Sequence, residues 1–320
     1  MDDRARTDEV GGARGTLLVY LKGVCMGAAD AVPGVSGGTI ALIVGVYERL
    51  IGALTALDPR ALRHLRRLHT RDGRRALART LVAMDVPFLA ALGLGVVTAV
   101  AAMSGVMHAA VTEFPAVTYA FFFGLIAASA AVLRDELWLS DARGVAAAVA
   151  GFSLAFLVSG VAATGDVSHS LLVVFLSGTV AISAMLLPGV SGSFILLLLG
   201  QYEYLTGAPG AFLDAVVAAL GGDTADLLPA TAVVVVFVAG AVIGLLTISH
   251  AVNYALTNYR RGTLTFLVAL IVGALRAPAL EVTGAVNAWT LTAAGTVTVA
   301  ASIGAALVLV LDYTTDDLDY

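Results

Sequence analysis

The chain has 320 residues, of which 59% are hydrophobic and 13% are charged, and its net charge is −5 at pH 7. A soluble domain carries about 25% charged residues, and runs of ~20 apolar residues are long enough to cross a bilayer. Two such runs are 231–251 and 289–311, so the composition excludes an ordinary soluble domain. The single cysteine, Cys25, excludes an intrachain disulfide and a metal site built on several thiolates.

Ten apolar segments follow a polar N-terminal segment, 1–15. Their lengths are helical, and alternating strands of about ten residues are not seen, so we predict an all-α polytopic membrane protein. An Arg-rich link, 56–82, and an acidic, glycine-containing link, 207–228, separate some of them. The segments lie near 16–32, 34–55, 83–107, 115–133, 144–164, 170–187, 189–206, 229–252, 263–277 and 289–311.

The sequence repeats itself. PGVSGGTIALIVGVYERLIGA (33–53) aligns without a gap on PGVSGSFILLLLGQYEYLTGA (188–208), with thirteen of 21 positions identical at a shift of 155. A weaker match at a shift of 145 places Thr118, Phe121, Leu125 and Ile126 on Thr263, Phe266, Leu270 and Ile271. We therefore predict two homologous halves.

Each half is expected to contain a broken helical hairpin followed by three transmembrane helices. The first half is 16–164, with its hairpin at 16–55, and the second is 170–311, with its hairpin at 170–206. A hairpin that enters and leaves on one side adds an even number of crossings, whether it crosses fully or re-enters. Together with three further spans, each half then has an odd number of crossings. The second half is therefore predicted to be inverted relative to the first, and an acidic tail, 312–320, follows it.

The arginine distribution agrees with this topology, because inside loops of membrane proteins are enriched in Lys and Arg. With both termini cytoplasmic, the links 108–114, 165–169, 207–228 and 278–288 lie outside and contain no Lys or Arg. The inside segments contain fifteen of the eighteen basic residues: Arg4, Arg6, Arg14, Arg60, Arg63, Arg66, Arg67, Arg71, Arg74, Arg75, Arg79, Arg134, Arg143, Arg260 and Arg261.

The repeated tips, VPGVSGGT (32–39) and LPGVSGSF (187–194), have the composition of a break before a new helix. Proline removes a backbone donor and disfavours a helical residue before it, glycine permits tight turns, and serine is a good N-cap. Helix starts leave unpaired N–H groups and a partial positive charge that favour anions. The candidate anion-binding residues are Ser36, Gly37, Gly38, Thr39, Ser191, Gly192 and Ser193.

Unpaired backbone is too costly to face lipid, so the tips are expected to be buried in protein or to line a wet cavity. Discontinuous helices at matching positions of two inverted halves are typical of a transporter binding site near the membrane midplane. The alternative is that both tips are only tight turns between helices.

Two ionisable residues, Lys22 and Asp30, precede the first tip inside an apolar segment, where such groups are expensive and usually functional. Lys22 is a candidate for attracting an anion, with snorkelling to the inner surface as the alternative. Asp30 is a candidate for carrying a proton, or for pinning the tip by accepting N–H bonds. The second copy has Ser183 and Met185 in the corresponding region, so the halves are not chemically equivalent.

Four further charged residues are weaker candidates. Glu48 and Glu203 follow their tips by twelve residues within repeated Tyr-Glu pairs, and they are candidates for gating or coupling. Arg134 and Arg276 end corresponding spans and are candidates for contacting an anionic headgroup. A solvated carboxylate and an arginine anchored at the membrane interface are the simpler alternatives.

The remaining chemistry is sparse. The histidines have no metal-ligand spacing, and no phosphate-binding loop, dinucleotide fingerprint or nucleophile elbow is present. We therefore expect no cofactor, no metal and no enzyme activity. The run 60–79 is rich in arginine, but beside a membrane it is better explained as an anchor to anionic lipid than as a nucleic-acid site.

The segments LKGVCMGAADAVPGVSGGTIALIVGVYERLI (21–51) and LLPGVSGSFILLLLGQYEYL (186–205) resemble the PopT family over nearly the whole chain. The family signature lies on Lys22, Gly23, Met26, Gly27, Ala29, Asp30 and 33–39. The resemblance implies a translocase that returns undecaprenyl phosphate from the outer to the inner leaflet. Composition suggests a haloarchaeal source, for which a dolichyl-type phosphate is expected instead.

Together these readings predict a flippase of the cytoplasmic membrane whose two tips hold the phosphate head of a polyprenyl-phosphate lipid. The expected partners are that lipid, other membrane lipids and a coupling proton or cation. An oligomer is compatible with the sequence. Nucleic acid is not expected as a partner. The alternative is a secondary transporter or channel for a small soluble anion. The direction of transport and the coupling ion stay open at this point.

Overall fold

A computed structural model describes residues 13–56, 70–162, 167–185 and 191–315, and its regular elements over these ranges are helices. They are α1 (Ala13–Asp30), α2 (Gly37–Ile43), α3 (Tyr47–Thr55), α4 (Arg71–Ala83), α5 (Val86–Glu113), α6 (Pro115–Val132), a 3-10 turn (Leu133–Glu136), α7 (Ala142–Ala162), α8 (Leu171–Met185), α9 (Gly192–Leu198), α10 (Tyr202–Leu220), α11 (Leu227–Ala274), α12 (Arg276–Ala285) and α13 (Leu291–Thr315). The prediction of an all-α polytopic membrane protein is confirmed.

Within the described ranges, six stretches are long and apolar enough to cross a membrane. Three belong to the first half, Val86–Glu113, Pro115–Glu136 and Ala142–Gly160, and three to the second, Leu227–Leu245, Asn258–Ala285 and Leu291–Tyr313. Among the described residues, three candidate spans follow each broken hairpin. The hairpins consist of shorter pieces, because a break separates α1 from α2 and another separates α8 from α9.

The repeat is visible in the backbone. Gly45 and Gly200, 155 positions apart, have φ of 68° and 67°. They end α2 and α9 with the same bonds, because Val46 N donates to Ala41 O and Gln201 N donates to Leu196 O, at 2.9 and 2.8 Å. A left-handed residue at a helix end allows the chain to turn directly into the next helix.

A second matched break lies 145 positions apart, at Phe114 (φ −129°, ψ 51°) and Tyr259 (φ −135°, ψ 36°). Across each break a threonine hydroxyl donates to a carbonyl eight residues earlier. Thr118 donates to Ala110 O at 2.8 Å and Thr263 to Ala255 O at 3.3 Å. Both shifts found in the sequence therefore correspond to matched local geometry.

The described residues form two compact units. The first contains the described parts of Met1–Ala29 and Thr39–Ala101. In it α1 packs closely on α5, because a Cβ at Gly23 would meet the Leu92 carbonyl and one at Gly95 would meet the Tyr20 carbonyl. Its core cluster consists of Met26, Ala41, Val46, Ala53, Phe88 and Leu92.

The second unit contains Asp30–Gly38 and the described part of Ala102–Tyr320. Its helices pair across the repeat, α6 with α13 and α7 with α11. The pairs use equivalent contacts, because a Cβ at Gly304 would meet the Phe121 carbonyl and one at Gly151 would meet the Phe266 carbonyl. Small residues that let helices approach closely are typical of membrane interfaces. Each half thus completes its packing with a helix of the other.

Three predicted boundaries differ from the structure. The Arg-rich link contains helix α4, since Thr70 caps its start by accepting from Gly73 N at 3.0 Å. Helix α10 continues past residue 206 to Leu220, because the alanine-rich sequence AFLDAVVAAL favours a helix despite the preceding Pro209. Segment 229–252 and most of segment 263–277 lie in one element, α11, which ends at Ala274 and is interrupted at Tyr259.

Candidate functional site

The first tip is a buried turn held against α6. Gly34 has φ of 94°, and a Cβ there would meet the side chains of Leu125 and Ile126 at 3.0 and 3.2 Å. The Ser129 hydroxyl donates to the Gly34 carbonyl at 3.1 Å. Glycine is therefore favoured at this position for two reasons: it adopts the left-handed conformation without strain, and its lack of a Cβ allows α6 to approach closely.

The second tip is described from Ser191 onward, and its preceding residues, 186–190, lie outside the described ranges. Ser191 is the N-cap of α9, since its hydroxyl accepts from Phe194 N at 3.4 Å, and it lies 2.7 Å from the Ser193 hydroxyl. Both serines are buried, as is Ser36 at the start of α2.

Asp30 joins the two tips. Its carboxyl group accepts backbone N–H bonds from Gly37 and from Gly192, which are the first residues of α2 and α9. The residue is only 8% exposed, and its Oδ1 has no partner among the described residues. The two helix starts therefore converge on one acidic group. These N–H bonds are the contacts expected of a residue that pins the tip, and the role of Asp30 in carrying a proton stays a prediction.

Tyr202, at the start of α10, ties the second half to the first tip. Its hydroxyl donates to the Ala31 carbonyl at 2.8 Å, and its ring packs edge-on against Phe122 with centroids 5.7 Å apart. The residue is 2% exposed. Its bond satisfies a carbonyl just beyond the end of α1, which would otherwise be left without a helical partner.

Tyr202 also lines a cavity of about 970 Å³ in the second unit. The charged residues at its wall are carboxylates from three helices, and none of the described residues that line it is Lys or Arg. Two histidines and two further tyrosines complete the polar lining. These residues are Glu203, Asp214, Asp226, Glu281, His108, His169, Tyr119 and Tyr204. Such a wall favours a cation and disfavours a free anion.

The histidines of the cavity are held by the backbone and by Gln201. His108 Nδ1 lies 3.2 Å from the Glu203 carbonyl, and its ring packs against Gly207. His169 stacks on Tyr204 at 4.3 Å, and its Nδ1 lies 3.0 Å from Gln201 Oε1. Gln201 is fully buried and also donates to the Ser168 carbonyl at 3.2 Å.

The structure brings only some of the predicted residues together. Asp30, Gly37, Ser191, Gly192 and Ser193 belong to the joined tips, and Glu203 lies in the cavity wall.

The remaining candidates of the first hairpin are described one by one. In the first unit, Lys22 is half-buried on α1 and Glu48 is exposed on α3. Gly38 is buried on α2, and the side chain of Thr39 lies outside the described residues.

The two candidate arginines have other contacts. Arg276 donates to the Phe156 carbonyl at 2.7 Å and lies 4.2 Å over the Phe156 ring. Arg134 is exposed, and its nearest carboxylate is that of Asp135 at 3.6 Å. These contacts correspond to the simpler alternative, an arginine anchored at a helix end.

Sequence reasoning did not identify Ser129, Gln201 or the hydroxyl of Tyr202 as site residues. For Gln201 a signal existed, because the aligned position in the first copy is Val46 and an amide replaces it in an otherwise apolar context. Ser129 and Tyr202 act on carbonyls 95 and 171 residues away in the chain, and no local pattern marks such bonds.

A polytopic α-helical protein with two broken hairpins joined at their tips belongs to the general class of membrane transporters built on repeats. The model of the VCA0040-like, undecaprenyl phosphate translocase-like family matches residues 26–298. The chain belongs to this family and is a multi-pass membrane protein.

Two relatives carry the name polyprenyl-phosphate transporter. The one from Vibrio cholerae is 35% identical over 260 residues, covering 81% of this chain and 76% of its own. The one from Staphylococcus aureus is 28% identical over 270 residues, covering 80% and 83%. No solved structure matches the chain significantly.

Proposed function

We propose that the protein is a transporter that carries a polyprenyl-phosphate lipid across the cytoplasmic membrane and so recycles this carrier. Both relatives bear the corresponding name, and the family model covers most of the chain. The observation that carries the proposal is the convergence of two helix starts, Gly37 and Gly192, on the single carboxyl group of Asp30. Backbone donors that meet on one acidic group are arranged to hold an anion such as a phosphate.

In this mechanism the lipid phosphate replaces the carboxyl group of Asp30 at the two tips. Asp30 closes the site when no substrate is bound, and it takes up a proton or swings away when the phosphate arrives. Ser36, Gly38, Thr39 and Ser193 are the neighbouring candidates for the phosphate oxygens. Lys22 remains a candidate for attracting the headgroup, and the prenyl tail stays in the lipid between spans.

Alternating access would follow from two inverted halves that rock about the joined tips. Helix α7 runs in the same direction as the second segment of α11, since Trp138 N donates to Thr265 Oγ1 at 2.9 Å and Phe156 O accepts from Arg276. Because the short turn 133–141 reverses the chain between α6 and α7, α6 runs opposite to its repeat equivalent in α11. That direction supports the inverted arrangement. The placement of both termini in the cytoplasm is supported by the arginine distribution alone.

The cavity supports a coupling role for its carboxylates. Glu203 was a gating candidate from the sequence, and it shares the cavity wall with Asp214, Asp226 and Glu281. We propose that a proton or another cation enters here and is sensed at Tyr202, which contacts both the cavity and the first tip. Glu48, the repeat equivalent of Glu203, is the corresponding candidate in the first hairpin.

We propose no enzymatic activity, because no nucleophile–base pair was found in the sequence. The second candidate function is transport of a small soluble anion. That function requires a sealed polar path, whereas a lipid with a long tail requires a lateral opening to the bilayer. The cavity wall, which lacks Lys and Arg among its described residues, favours the lipid because a free anion would be repelled there.

The test is flipping of a fluorescent polyprenyl phosphate in proteoliposomes, with uptake of radiolabelled inorganic phosphate as a second arm. The Ser36→Leu/Ser191→Leu double variant should abolish flipping, and Ser36→Ala/Ser191→Ala should reduce it while folding normally. The exposed Ser140→Leu serves as the control. Unchanged flipping in both double variants would exclude the tips as the headgroup site, and phosphate uptake without flipping would favour the soluble-anion alternative.

A further inference from the structure

The Arg-rich link folds into a surface helix of defined orientation. Helix α4 begins at a Thr70 cap and carries Asp72 in its first turn, where an acidic residue favours the helix dipole. Its thirteen residues span about 20 Å. Gly73 is buried, and Leu77 and Leu81 are half-buried, so these residues mark the face that packs on the protein.

The opposite face is positively charged. Arg71, Arg74, Arg75 and Arg79 are all exposed, and the spacing of three and four residues places them along one side of the helix. Within the part of the chain that the structure describes, none of the four forms an ion pair. Asp72 is the only acidic residue of α4. This face therefore presents an uncompensated row of guanidinium groups.

The position of α4 relative to a membrane span is fixed by a rigid corner. Only Met84 and Asp85 separate it from α5, whose residues Val86–Glu113 form a candidate span. Asp85 has φ of 53°, and both of its carboxylate oxygens accept from Arg49, at 2.6 and 2.9 Å. The Arg49 guanidinium also lies 4.2 Å over the Phe88 ring, on the first turn of α5.

We propose that α4 is an interfacial helix whose arginine row binds the phosphate headgroups of anionic phospholipids at the membrane surface where α5 begins. Two observations support this occupant: the charge is complementary, and the helix ends one short corner from a span. Guanidinium groups also pair with phosphate in a bidentate manner. Basic amphipathic helices next to a span typically bind anionic lipid in this way. The proposal concerns bulk membrane lipid and does not depend on the transported substrate.

The experiment places an environment-sensitive fluorophore on α4 of the full-length protein. Ala78 is exposed beside the arginine row, and Ala78→Cys in a Cys25→Ser background gives one labelling site. The labelled protein is placed in nanodiscs of neutral phospholipid alone or mixed with anionic phospholipid. Quenching by headgroup-level spin-labelled lipid reports contact with the surface. We expect quenching several-fold stronger in the anionic nanodiscs, and loss of that difference in high salt, where the Debye length is about 3 Å.

Three variants make the result specific. Changing all four arginines to Gln should remove the dependence on anionic lipid, and changing them to Lys should keep most of it. A matched control changes four exposed arginines elsewhere, Arg134, Arg143, Arg260 and Arg261, to Gln and should leave the label unaffected. Quenching that is equal in neutral and anionic nanodiscs, or that persists in the Gln variant, would overturn the proposal. A label shielded in every lipid would indicate a protein neighbour and would also overturn it.

Discussion

The two broken hairpins share a backbone but differ in chemistry. Gly45 and Gly200 have the same left-handed conformation, and the bonds that end α2 and α9 are the same. At the next position, however, the first hairpin places Val46 in an apolar cluster and the second places Gln201 in a buried polar network. The first copy also carries the acidic residue, Asp30, that both helix starts share. The two breaks therefore have the same backbone geometry, whereas their polar contacts differ.

The largest effect is expected from Asp30→Asn, which removes the only charge in the joined tips. A neutral amide competes less well for the N–H groups, and hydrogen bonds to charged groups are worth about 1.5–3 kcal/mol against ~1 kcal/mol for neutral ones. The lipid density at half-maximal flipping should therefore fall, and the maximal rate should fall roughly tenfold because release of the phosphate slows. Rates measured against lipid density in proteoliposomes give both quantities.

Asp135→Asn is the control for this variant, since Asp135 is an exposed carboxylate. A merely structural role of Asp30 would lower the maximal rate without lowering the half-saturating lipid density. A half-saturating lipid density that does not fall would therefore contradict displacement of Asp30 by phosphate.

Exchanging the residues that follow the two glycines should destabilise both hairpins. Val46→Gln buries an amide among Met26, Phe88 and Leu92 and should lower the free energy of unfolding by about 2–4 kcal/mol. Gln201→Val leaves the Ser168 carbonyl without its donor and should cost about 1–3 kcal/mol. Reversible unfolding in mixed micelles measures both, with Val46→Leu as the conservative control. A swap tolerated at both sites would mean that the polar network is dispensable.

The shared backbone is tested by Gly45→Ala and Gly200→Ala. Each forces alanine into a left-handed conformation, which costs about 1–2 kcal/mol, and the two losses should agree because φ differs by only 1°. Gly93→Ala is the control, since Gly93 lies within α5 with open space around a Cβ, and alanine in a helix is favoured by up to ~1 kcal/mol. Unequal losses at Gly45 and Gly200 would show that the two breaks are not mechanically equivalent.

The smallest effect is expected from Tyr202→Phe, which keeps the ring against Phe122 and removes one hydrogen bond to Ala31. The loss in the free energy of unfolding should be about 1 kcal/mol. Tyr254→Phe, at a side chain exposed to 61%, should have no measurable effect. If Tyr202 also responds to a proton or cation in the cavity, Tyr202→Phe should weaken the dependence of flipping on an imposed proton gradient. Loss of a purely structural hydrogen bond would leave that dependence unchanged.

Much of the fold was predictable because breaks, repeats and apolar lengths are local properties. The glycines and proline of VPGVSGGT mark the first break, and the shifts of 155 and 145 predicted equivalent positions that the backbone confirms at Gly45 and Gly200 and at Phe114 and Tyr259. Helix α4 was not predicted because the Arg-rich stretch was interpreted as a link between spans, although Leu77 and Leu81 recur at the helical spacing of four residues.

The site was only partly predictable, because its contacts join distant parts of the chain. That Asp30 reaches Gly192 depends on how the halves pack and not on spacing within either one. The acidic cavity was missed for the same reason, since its carboxylates come from α10, from α12 and from the N-cap of α11. Arg276 was a candidate for the headgroup because of its position at a span end, but its guanidinium is engaged by Phe156.

The exchange of partners between halves, α6 with α13 and α7 with α11, has a consequence for how the protein is made. During synthesis α6 and α7 are made before α11 and α13. The faces of α6 at Gly124 and of α7 at Gly151 therefore have no packing partner until the later helices are made. The final fold is therefore closed only by the last helix of the chain. A nascent chain that stops before residue 291 lacks the helix that covers α6, so the face at Gly124 has no partner in such a chain.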